Sequence, residues 1–433
     1  MLMQQAEPKV VQDSHPLTRQ GVQFTCYLLF GVVAPLLIWF AARDPSLTSP
    51  IVESTVPAVI IACVASWYIL ARLRLYAKAR RLSYVLPVNF LTFAVAASVI
   101  FIIRAPYSVS LIGSCFVATL ITSYTLTALT RLGSKPQYIV EGGRVSELPD
   151  RPGQHRVSSL ADVEAMIDNR TLQGSLVGDL HFDHQDEWER LFAKAALHGI
   201  PVYHYRQILE LETGQVRIDR LSENVLGSLI PNLPYMALKR TIDVLAVLIL
   251  SPVLLILMAA IGLIIKMDSK GSVLFIQERT GFRGEMFRMV KFRTMRTREV
   301  QDDALAKRED AMTKSDDDRI TRVGRFLRKV RLDELPQAWN ILKGEMSWIG
   351  PRPEATSLSE WYEKEIPFYS YRHIVRPGLT GWAQVNQGHV TDLGDANAKL
   401  RYDFYYVKNI SHWLDMLIAL KTIRVVLGGF GAK

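Results

Sequence analysis

The sequence predicts a membrane α-helical plus α/β fold. It consists of four transmembrane helices, a small α/β domain, and a mostly helical domain that begins with a further membrane-inserted helix. Hydrophobic residues make up 49% of the 433 residues and charged residues 21%, which excludes disordered, collagen-like and coiled-coil proteins. Long uncharged stretches are concentrated near the N-terminus and recur once in the second half. Polar sequence with alternating strand and helix patterns lies between them, and the mean hydropathy of +0.12 averages over both.

Residues 20–133 contain four stretches without a charged side chain. They cover residues 20–42, 54–71, 82–103 and 105–130, and each has 18 to 26 residues. About 20 apolar helical residues cross a hydrocarbon core about 30 Å thick. We therefore predict four transmembrane helices in a bundle, preceded by a cytoplasmic leader, residues 1–19. The alternative is a set of buried helices in a large soluble core, which four successive runs of this length disfavour.

Loop charge predicts the orientation of these helices. The loop between the second and third helices has five basic residues and no acidic one: Arg72, Arg74, Lys78, Arg80 and Arg81. The loops after the first and third helices each have a single arginine, Arg43 and Arg104. Basic loops remain in the cytoplasm. The N-terminus, the second loop and everything after Arg131 are therefore predicted to be cytoplasmic.

A fifth uncharged stretch, residues 244–265, contains Ser251 and Pro252 near its middle. Basic residues flank it on both sides, at Lys239, Arg240, Lys266 and Lys270. A straight span would leave one basic flank outside the cytoplasm. Proline removes a backbone donor, and a neighbouring serine can satisfy the freed carbonyl. We predict a re-entrant helix over about 236–265 that bends at this pair. The alternative, a kinked span, would place residues 266–433 outside the cell.

Residues 136–226 have the pattern of a soluble domain. QYIVEGG, GSLVGDL and IPVYHY are typical of short buried strands, and residues 158–168 and 185–198 have helical spacing. This alternation predicts a small α/β unit with a parallel sheet and a structural or regulatory role. The usual dinucleotide-binding glycine pattern is missing. His181, Asp183 and His184 are interpreted as a solvated turn, with a metal cluster as the alternative.

The strongest functional signal lies in residues 275–354. Seven basic residues and one acidic residue occur from Arg279 to Arg298, and six basic residues with no acidic one from Arg319 to Arg331. Such density, within a net charge of +9, indicates binding of a polyanion. Nucleic acid is excluded because the stretch adjoins a membrane segment and shows no nucleic-acid motif. Diphosphates and lipid phosphates fit better, because arginine binds phosphate oxygens in pairs.

Two adjacent carboxylates, Asp333 and Glu334, follow the second basic cluster. A carboxylate can attack a phosphoryl group and form an acyl phosphate. Neighbouring carboxylates also suit Mg²⁺ bound beside phosphate oxygens. The alternative interpretation is a helix N-terminus, where acidic residues are favoured. The surrounding arginines make the chemical interpretation competitive.

From about Lys239 to the C-terminus, the sequence resembles the bacterial sugar transferases, also called monotopic phosphoglycosyl transferases or polyprenyl-phosphate hexose-1-phosphate transferases. The resemblance rests on KRTID (239–243), FIQERTGFRGEMFRMVKFRTM (275–295), ITRVGRFLRKVRLDELPQAWNILKGEMSWIGPRPE (320–354), VRPGLTGWAQVN (375–386) and KLRYDFYYVKNIS (399–411). The upstream part is similar to the large members, which have four spans and a truncated nucleotide-fold domain. The catalytic domain would then cover residues 235–433.

This resemblance implies transfer of a hexose-1-phosphate from UDP-glucose or UDP-galactose to undecaprenyl phosphate at the bacterial inner membrane. Asp333 would be the nucleophile and form a phospho-aspartate, and Glu334 would support it; both would hold Mg²⁺. The implied phosphate-binding residues are Lys291, Arg293, Arg331 and Arg352. The family's membrane helix bends at a Ser-Pro pair, here Ser251 and Pro252. The resemblance leaves open whether the enzyme forms a homodimer.

The segment after GWAQVN departs from the family pattern, because Gln387-Gly388-His389-Val390 follows it. This departure leaves the donor sugar open. Two alternatives to the covalent mechanism also remain: the same reaction without a covalent step, and a non-catalytic membrane scaffold that binds anionic lipid. The C-terminal stretch 411–428 has helical spacing, and is predicted either to lie in the membrane interface or to pack on the catalytic domain.

Overall fold

The computed structural model of the chain describes residues 17, 19–43, 49–74, 76, 81–130, 136–218, 231–296, 319–387 and 393–428. Most of the predicted leader, part of the basic second loop, residues 297–318 and Gly388–Val390 lie outside the described residues. The chain forms two compact units, Met1–Thr213 and Gly214–Lys433. Within the described ranges it is mostly helical, with five helices apolar and long enough to cross a membrane and a small parallel sheet. It is a multi-pass membrane protein.

Four apolar helical segments occupy the first half of the first unit. They cover Gln20–Leu28 with a π-helical turn Leu29–Val33 and a continuation Ala34–Arg43, then Pro50–Leu73, Val85–Ile102 after a 3-10 turn Arg81–Tyr84, and Val109–Leu129. All four contribute to one buried cluster, which includes Tyr27, Val59, Phe93 and Leu111. Buried polar groups are bonded across helices, since Asn89 donates to Ser123 Oγ at 3.2 Å. Such bonds suit helices that pack in lipid.

A four-stranded sheet with order β2-β1-β3-β4 and parallel pairing throughout forms the rest of the first unit. Its strands are β1 Gln137–Val140, β2 Gln154–Val157, β3 Ser175–Gly178 and β4 Val202–His204. The helices are Leu160–Asp168, Asp186–Leu197 and Tyr205–Thr213, and a 3-10 turn covers Val145–Glu147. The predicted parallel sheet is confirmed. Strand β2 was not predicted, because it is an edge strand with no buried residue and so lacks an apolar pattern.

The crevice at the carboxyl ends of β1 and β3 is filled by the chain itself. Asp179 follows β3, and its Oδ2 accepts the backbone N–H of Arg144 at 3.0 Å. Gly143 adopts φ +60°, and a Cβ there would lie 2.4 Å from the same oxygen. Parallel α/β sheets usually bind ligands where the strand order reverses, which here is between β1 and β3. A carboxylate side chain occupies that place.

The predicted solvated turn comprises His181, Asp183 and His184. His181 and Asp183 are exposed, whereas His184 is buried. The atoms of Asp179, His181 and His204 that could ligate a metal, a carboxylate oxygen and two ring nitrogens, lie within 4.8 Å of one another. However, His204 Nδ1 accepts the N–H of Arg206 at 3.1 Å, so the ring proton must be on Nε2, which is 2.8 Å from His181 Nδ1. A metal ligand needs its lone pair at that nitrogen, so the three side chains form a hydrogen-bonded cluster.

The second unit is built around a long helix, Leu233–Asp268. An antiparallel hairpin of β5 Leu274–Thr280 and β6 Met286–Phe292 follows. The remaining elements are helices Arg322–Lys329, Ala338–Lys343, Thr356–Glu365, Trp382–Asn386, Leu393–Lys408 and His412–Gly428, the 3-10 turns Phe282–Gly284, Leu332–Gln337 and Tyr369–Ile374, and the parallel pair β7 Ser347–Ile349 and β8 Gly378–Thr380. The last helix completely buries Leu414 and Leu417, which favours the packing alternative for it.

The long helix is continuous through Pro252, so the predicted bend at Ser251-Pro252 stays a prediction. The hydroxyl of Ser251 donates to the carbonyl of Leu248 at 2.7 Å. Apolar side chains in the middle of the helix are exposed, among them Ile249 at 75% and Ile256 at 74%. The exposed middle is therefore the part of this helix that is suited to lipid.

Candidate active site

The Asp333–Glu334 pair lies in the 3-10 turn Leu332–Gln337, just after the basic helix Arg322–Lys329. Arg331 ends that helix in the left-handed conformation, with φ 59°, and so turns the chain sharply. Leu332 and Leu335 then pack against the buried cluster of the long helix and β6. Both carboxylates are buried, at 8% and 6% exposure. The helix-start alternative is too weak an explanation, because burying charge is costly unless it is compensated.

Glu334 is the compensated member of the pair. Its Oε1 accepts from Arg352 Nη2 at 2.7 Å, and Arg331 Nη1 lies 3.5 Å from the same oxygen. Burial acts to raise the pKa of Glu334, but Arg352 and then Arg331 outweigh it and hold the pKa below its usual range. Glu334 in turn raises the pKa of Arg352. This side chain is therefore a fixed negative charge.

Asp333 is the uncompensated member. Its Oδ1 is buried and has no hydrogen-bond partner among the described residues. Burial, followed by the charge of Glu334, raises the pKa of Asp333 to about 6, although Lys291, Arg352 and Arg328 act to lower it. The carboxylate is thus ionised at neutral pH, and one of its oxygens has no donor among the described residues. Such a group is a suitable nucleophile or metal ligand.

Lys291 faces this pair from β6. Burial lowers its pKa to about 8, with Arg279 and Arg352 adding to the effect and Asp333 opposing it. Its Nζ lies 5.1 Å from the ring centroid of Phe275 on the paired strand. A cation next to an aromatic face, held close to other cations, is suited to contacting a polyanionic substrate.

Arg279 is a site residue that the sequence analysis did not select. Its Nη1 donates to the Pro353 carbonyl at 3.1 Å and Nη2 to Gln277 Oε1 at 2.7 Å, while Nε is buried and has no partner among the described residues. Burial lowers its pKa to about 10. The hairpin register pairs Phe275 with Lys291 and Arg279 with Phe287, which places Arg279 and Lys291 on one face. A register inferred from the sequence would have identified it.

Arg293 lies elsewhere. Its guanidinium donates to the carbonyls of Ser269 (2.8 Å) and Lys270 (2.9 Å) and to Ser269 Oγ (2.9 Å), at the end of the long helix. Gly271 at φ +123° admits it, because a Cβ there would be 2.0 Å from Arg293 Nη1. The predicted phosphate contact stays a prediction, and these bonds favour a role in holding the helix end.

The loop that carries Arg352, residues 350–354, is fixed through its backbone. Its residues approach the β8 region closely: Gly350 N–H bonds the Thr380 carbonyl at 2.8 Å, and Gly378 N–H bonds the Pro351 carbonyl at 2.9 Å. A Cβ on Gly378 would be 2.0 Å from Gly350 N. Tight packing of this kind leaves Arg352 little freedom, which suits a residue that must meet Glu334 at a set distance.

The structure therefore brings together four of the five predicted chemical groups beside Asp333 and adds two, Arg279 and Arg328. Arg331, Arg352, Lys291 and Glu334 interact with one another or with Asp333. Arg328 joins them, since its charge lowers the pKa of Asp333. A carboxylate that has an oxygen without a hydrogen-bond partner among the described residues and is surrounded by cations can accept a phosphate-bearing substrate and attack phosphorus. Of the predicted donor-selecting segment, only Gln387 is described.

Residues 234–429 match the family model described as bacterial sugar transferase. The chain is 40% identical over 385 residues to a UDP-N-acetylgalactosamine-undecaprenyl-phosphate N-acetylgalactosaminephosphotransferase of Aeromonas hydrophila, covering 88% of each protein. It is 48% identical over 174 residues to a UDP-glucose:undecaprenyl-phosphate glucose-1-phosphate transferase of Xanthomonas campestris pv. campestris, covering 40% of this chain and 35% of the relative. A protein of the same description from Escherichia coli (strain K12) is 39% identical over 192 residues, with 43% and 39% covered. The Aeromonas match is too long to be confined to 234–429.

Proposed function

We propose, from the premise that this chain belongs to the bacterial sugar transferase family, that it transfers a sugar-1-phosphate from a UDP-sugar to undecaprenyl phosphate and releases UMP. The family resemblance predicted from the sequence is confirmed. The chain is an enzyme, a phosphoglycosyl transferase, and its reaction would be the first membrane step of exopolysaccharide, capsule or O-antigen synthesis. The observation that carries the proposal is the buried Asp333 oxygen without a partner beside Glu334, Lys291 and Arg352.

The proposed chemistry is a double displacement. A carboxylate oxygen of Asp333 attacks the sugar-side phosphorus of the UDP-sugar, and the bond from that phosphorus to the bridging oxygen breaks. UMP leaves with the bonding electrons, and a phospho-aspartate that carries the sugar remains. A phosphate oxygen of undecaprenyl phosphate then attacks the same phosphorus, and Asp333 leaves as a carboxylate. Ping-pong kinetics are expected from this sequence.

The neighbouring side chains have distinct roles in this scheme. Lys291 and Arg279 lie on one face of the hairpin and offset the charge of the diphosphate. Glu334 keeps Arg352 in place and keeps the pKa of Asp333 raised, so that the nucleophile is ionised but weakly stabilised. Arg331, which also contacts Glu334, adds a further positive charge beside the carboxylate pair.

A magnesium ion fits the residues present. The free Asp333 oxygen, together with phosphate oxygens of a donor, offers the hard oxygen ligands that Mg²⁺ prefers. Asp333 and Glu334 would hold it, as the sequence analysis predicts. When bound, the ion would neutralise charge on the diphosphate.

The long helix supports a re-entrant membrane placement. Near its start, Tyr235 and Lys239 donate to Asp415 at 2.7 and 2.6 Å. Near its end, Ile265 packs in a cluster with Phe292. Both ends are therefore held by the same folded unit, which can occupy only one side of a bilayer. We propose that the exposed middle enters the inner membrane, bends at Ser251-Pro252 and returns to the cytoplasmic face.

Cysteine labelling tests this placement. Ala237→Cys and Lys270→Cys lie on exposed residues at the two ends and would be made in a variant without the native cysteines Cys26, Cys63 and Cys115. A membrane-impermeant maleimide should label both in inside-out vesicles and neither in right-side-out cells. Labelling of one position from each side would establish a spanning helix instead. A third cysteine in the cytoplasmic loop, at Arg74, serves as the orientation control.

The upstream apolar helices are proposed to be four spans, 20–133, that anchor the enzyme, with residues 136–226 as a cytoplasmic domain of structural or regulatory role. The donor sugar has three candidates. Glucose or galactose follows from the family resemblance, whereas the relative that covers 88% of each chain is named for N-acetylgalactosamine. A panel of UDP-sugars separates them.

The decisive experiment measures UMP release from that panel by purified enzyme in nanodiscs, with and without undecaprenyl phosphate and Mg²⁺. Lipid-dependent release for one sugar supports the proposal. In the absence of lipid, labelled donor should leave a phosphorylated enzyme whose label is lost in Asp333→Asn. Turnover without any trapped label would favour the non-covalent mechanism. No turnover with any sugar, together with lipid binding that depends on Arg322 and Arg325, would favour the scaffold.

A further inference from the structure

The KLRYDFYYVKNIS motif lies on the helix Leu393–Lys408, and the proposed chemistry gives it no role. The structure shows what its aspartate contacts. Asp403 is 1% exposed, and its Oδ2 lies 2.8 Å from Arg372 Nη2. Arg372 is itself 3% exposed. A buried ion pair of this kind is costly to form.

Arg372 continues directly to the active-site loop. The same Nη2 donates to the backbone carbonyl of Arg352 at 2.8 Å, and Nη1 donates to Tyr369 OH at 2.7 Å. The guanidinium therefore bridges the aspartate of one helix and the peptide group of the residue that pairs with Glu334. A second charged neighbour of Arg372 is Glu354, at 3.9 Å, which in turn pairs with Lys399.

We propose that Asp403 and Arg372 are positioning residues that aim the Arg352 guanidinium at Glu334. The proposal rests on the proposed function, because it assigns these residues to the same reaction. Asp403 holds Arg372 by charge at 2.8 Å rather than by a directed hydrogen bond, since Oδ2 has no hydrogen-bond partner among the described residues. The fork of Arg372 then fixes the Arg352 carbonyl. The peptide plane at Arg352 sets the direction in which its side chain leaves the backbone. The 2.7 Å contact with Glu334 follows from that direction.

The same helix holds the loop at a second point. The hydroxyl of Tyr406, one turn after Asp403, lies 3.1 Å from the carbonyl of Ile349 and 2.9 Å from Asp415 Oδ1, and the two acceptors share its one proton. The two contacts lie on either side of Gly350 and Pro351. Asp403 and Tyr406 are three residues apart and therefore share one helix face. This spacing lets the helix hold both ends of the short loop that carries Arg352.

The test is the variant Asp403→Asn, which keeps the volume and removes the charge. Arg372 would lose its ionic partner, and Arg352 would shift away from Glu334. Displacements of about 1 Å cost about 100-fold in rate, so kcat should fall by about 10- to 100-fold. Because Arg352 lowers the pKa of both carboxylates, its displacement should also move the acidic limb of the pH–rate profile to higher pH.

A matched packing variant separates positioning from loss of stability. Val407→Ala lies on the same helix, is completely buried and removes only apolar atoms. It should lower Tm while leaving the acidic limb at its wild-type pH. Tyr369→Phe removes only the hydroxyl that accepts from Arg372, and should move the limb in the same direction as Asp403→Asn but by less. This milder variant keeps the test valid if Asp403→Asn does not fold.

The outcomes are distinct. A wild-type acidic limb in Asp403→Asn, or in Tyr369→Phe if the former does not fold, would overturn the positioning role while the proposed function stands. An equal shift in Val407→Ala would also overturn it. Absence of UMP release by the wild-type enzyme would refute the proposed function, and with it this role.

Discussion

Two buried aspartates, one in each unit, show how environment decides what a carboxylate does. Asp179 accepts the backbone N–H groups of Arg144 at 3.0 Å and His181 at 3.2 Å and lies 3.3 Å from His204 Nε2. Burial acts to raise its pKa, but these donors outweigh burial and lower it. Asp333 has a buried oxygen without a partner among the described residues, and its pKa is raised to about 6.

The difference teaches that satisfaction by the backbone, rather than burial, separates a structural carboxylate from a reactive one. Asp179 fills the crevice in which a parallel sheet usually binds a ligand, so the chain itself takes the place of a phosphate there. Asp333 is left to find its partner in a substrate or an ion.

The largest expected difference is in activity. Asp333→Asn should reduce UMP release by more than about 1,000-fold, in the range found when a catalytic nucleophile is removed. Asp179→Asn is the matched change in the first unit and should leave turnover within about twofold, because backbone N–H groups already bond the Asp179 carboxylate. UMP release in nanodiscs measures both. Equal losses in the two variants would show that the contrast does not concern catalysis.

Glu334→Gln is expected to have the next largest effect. It removes the ionic partner of Arg352, and the loss of oriented charge should lower kcat by about 100-fold. It also removes the negative charge that raises the pKa of Asp333. The acidic limb of the residual activity should therefore move to lower pH. A shift to higher pH in this variant would contradict the assignment of that limb to Asp333.

A smaller effect is expected at alkaline pH. In the wild type, kcat/KM should rise through about pH 6 as Asp333 ionises and fall through about pH 8 as Lys291 loses its proton. Lys291→Arg keeps a positive charge at all these pH values. Its alkaline limb should move up, so that activity at pH 9, relative to its own maximum, exceeds that of the wild type by about tenfold. An unchanged limb would assign the alkaline pKa to another group.

The smallest effect, and the one that sharpens the comparison most, is on stability. Asp333→Asn replaces an uncompensated buried charge with a neutral amide and should stabilise the second unit by about 1 kcal/mol. Asp179→Asn leaves two backbone N–H donors with a weaker acceptor and should destabilise the first unit by about 1–3 kcal/mol. Hydrogen exchange of β3 and β6 amides reports each unit separately. Shifts of the same sign would remove the physical basis of the contrast.

Much of the fold could be predicted because its signals are local. Hydrocarbon thickness demands long uncharged runs, and these runs appear as helices, such as Pro50–Leu73 and Val109–Leu129. Buried strands such as β1 and β3 can be predicted because they have apolar runs. Edge strand β2 and the continuity of the long helix through Pro252 depend on neighbours or on bilayer context, which a linear pattern does not contain.

In the candidate site, too, features local in the sequence could be predicted, and features that depend on tertiary structure could not. Asp333 and Glu334 are adjacent in the chain, so their pairing could be inferred directly. Arg293 and Arg279 could not be told apart by residue type, and only the hairpin register and the contact with Ser269 separate them. Which of the two arginines lies near the carboxylate pair is decided by tertiary structure.

The bonds from Arg293 to the last turn of the long helix have a mechanical consequence. Arg293 directly follows β6, two residues after Lys291, so the end of the strand that carries Lys291 is fastened to the end of the proposed membrane anchor. On the proposed placement, the depth of that anchor sets the height of the active site above the lipid surface. The proposed acceptor, undecaprenyl phosphate, is itself confined to the bilayer. Its phosphate would then reach the active site without leaving the membrane surface.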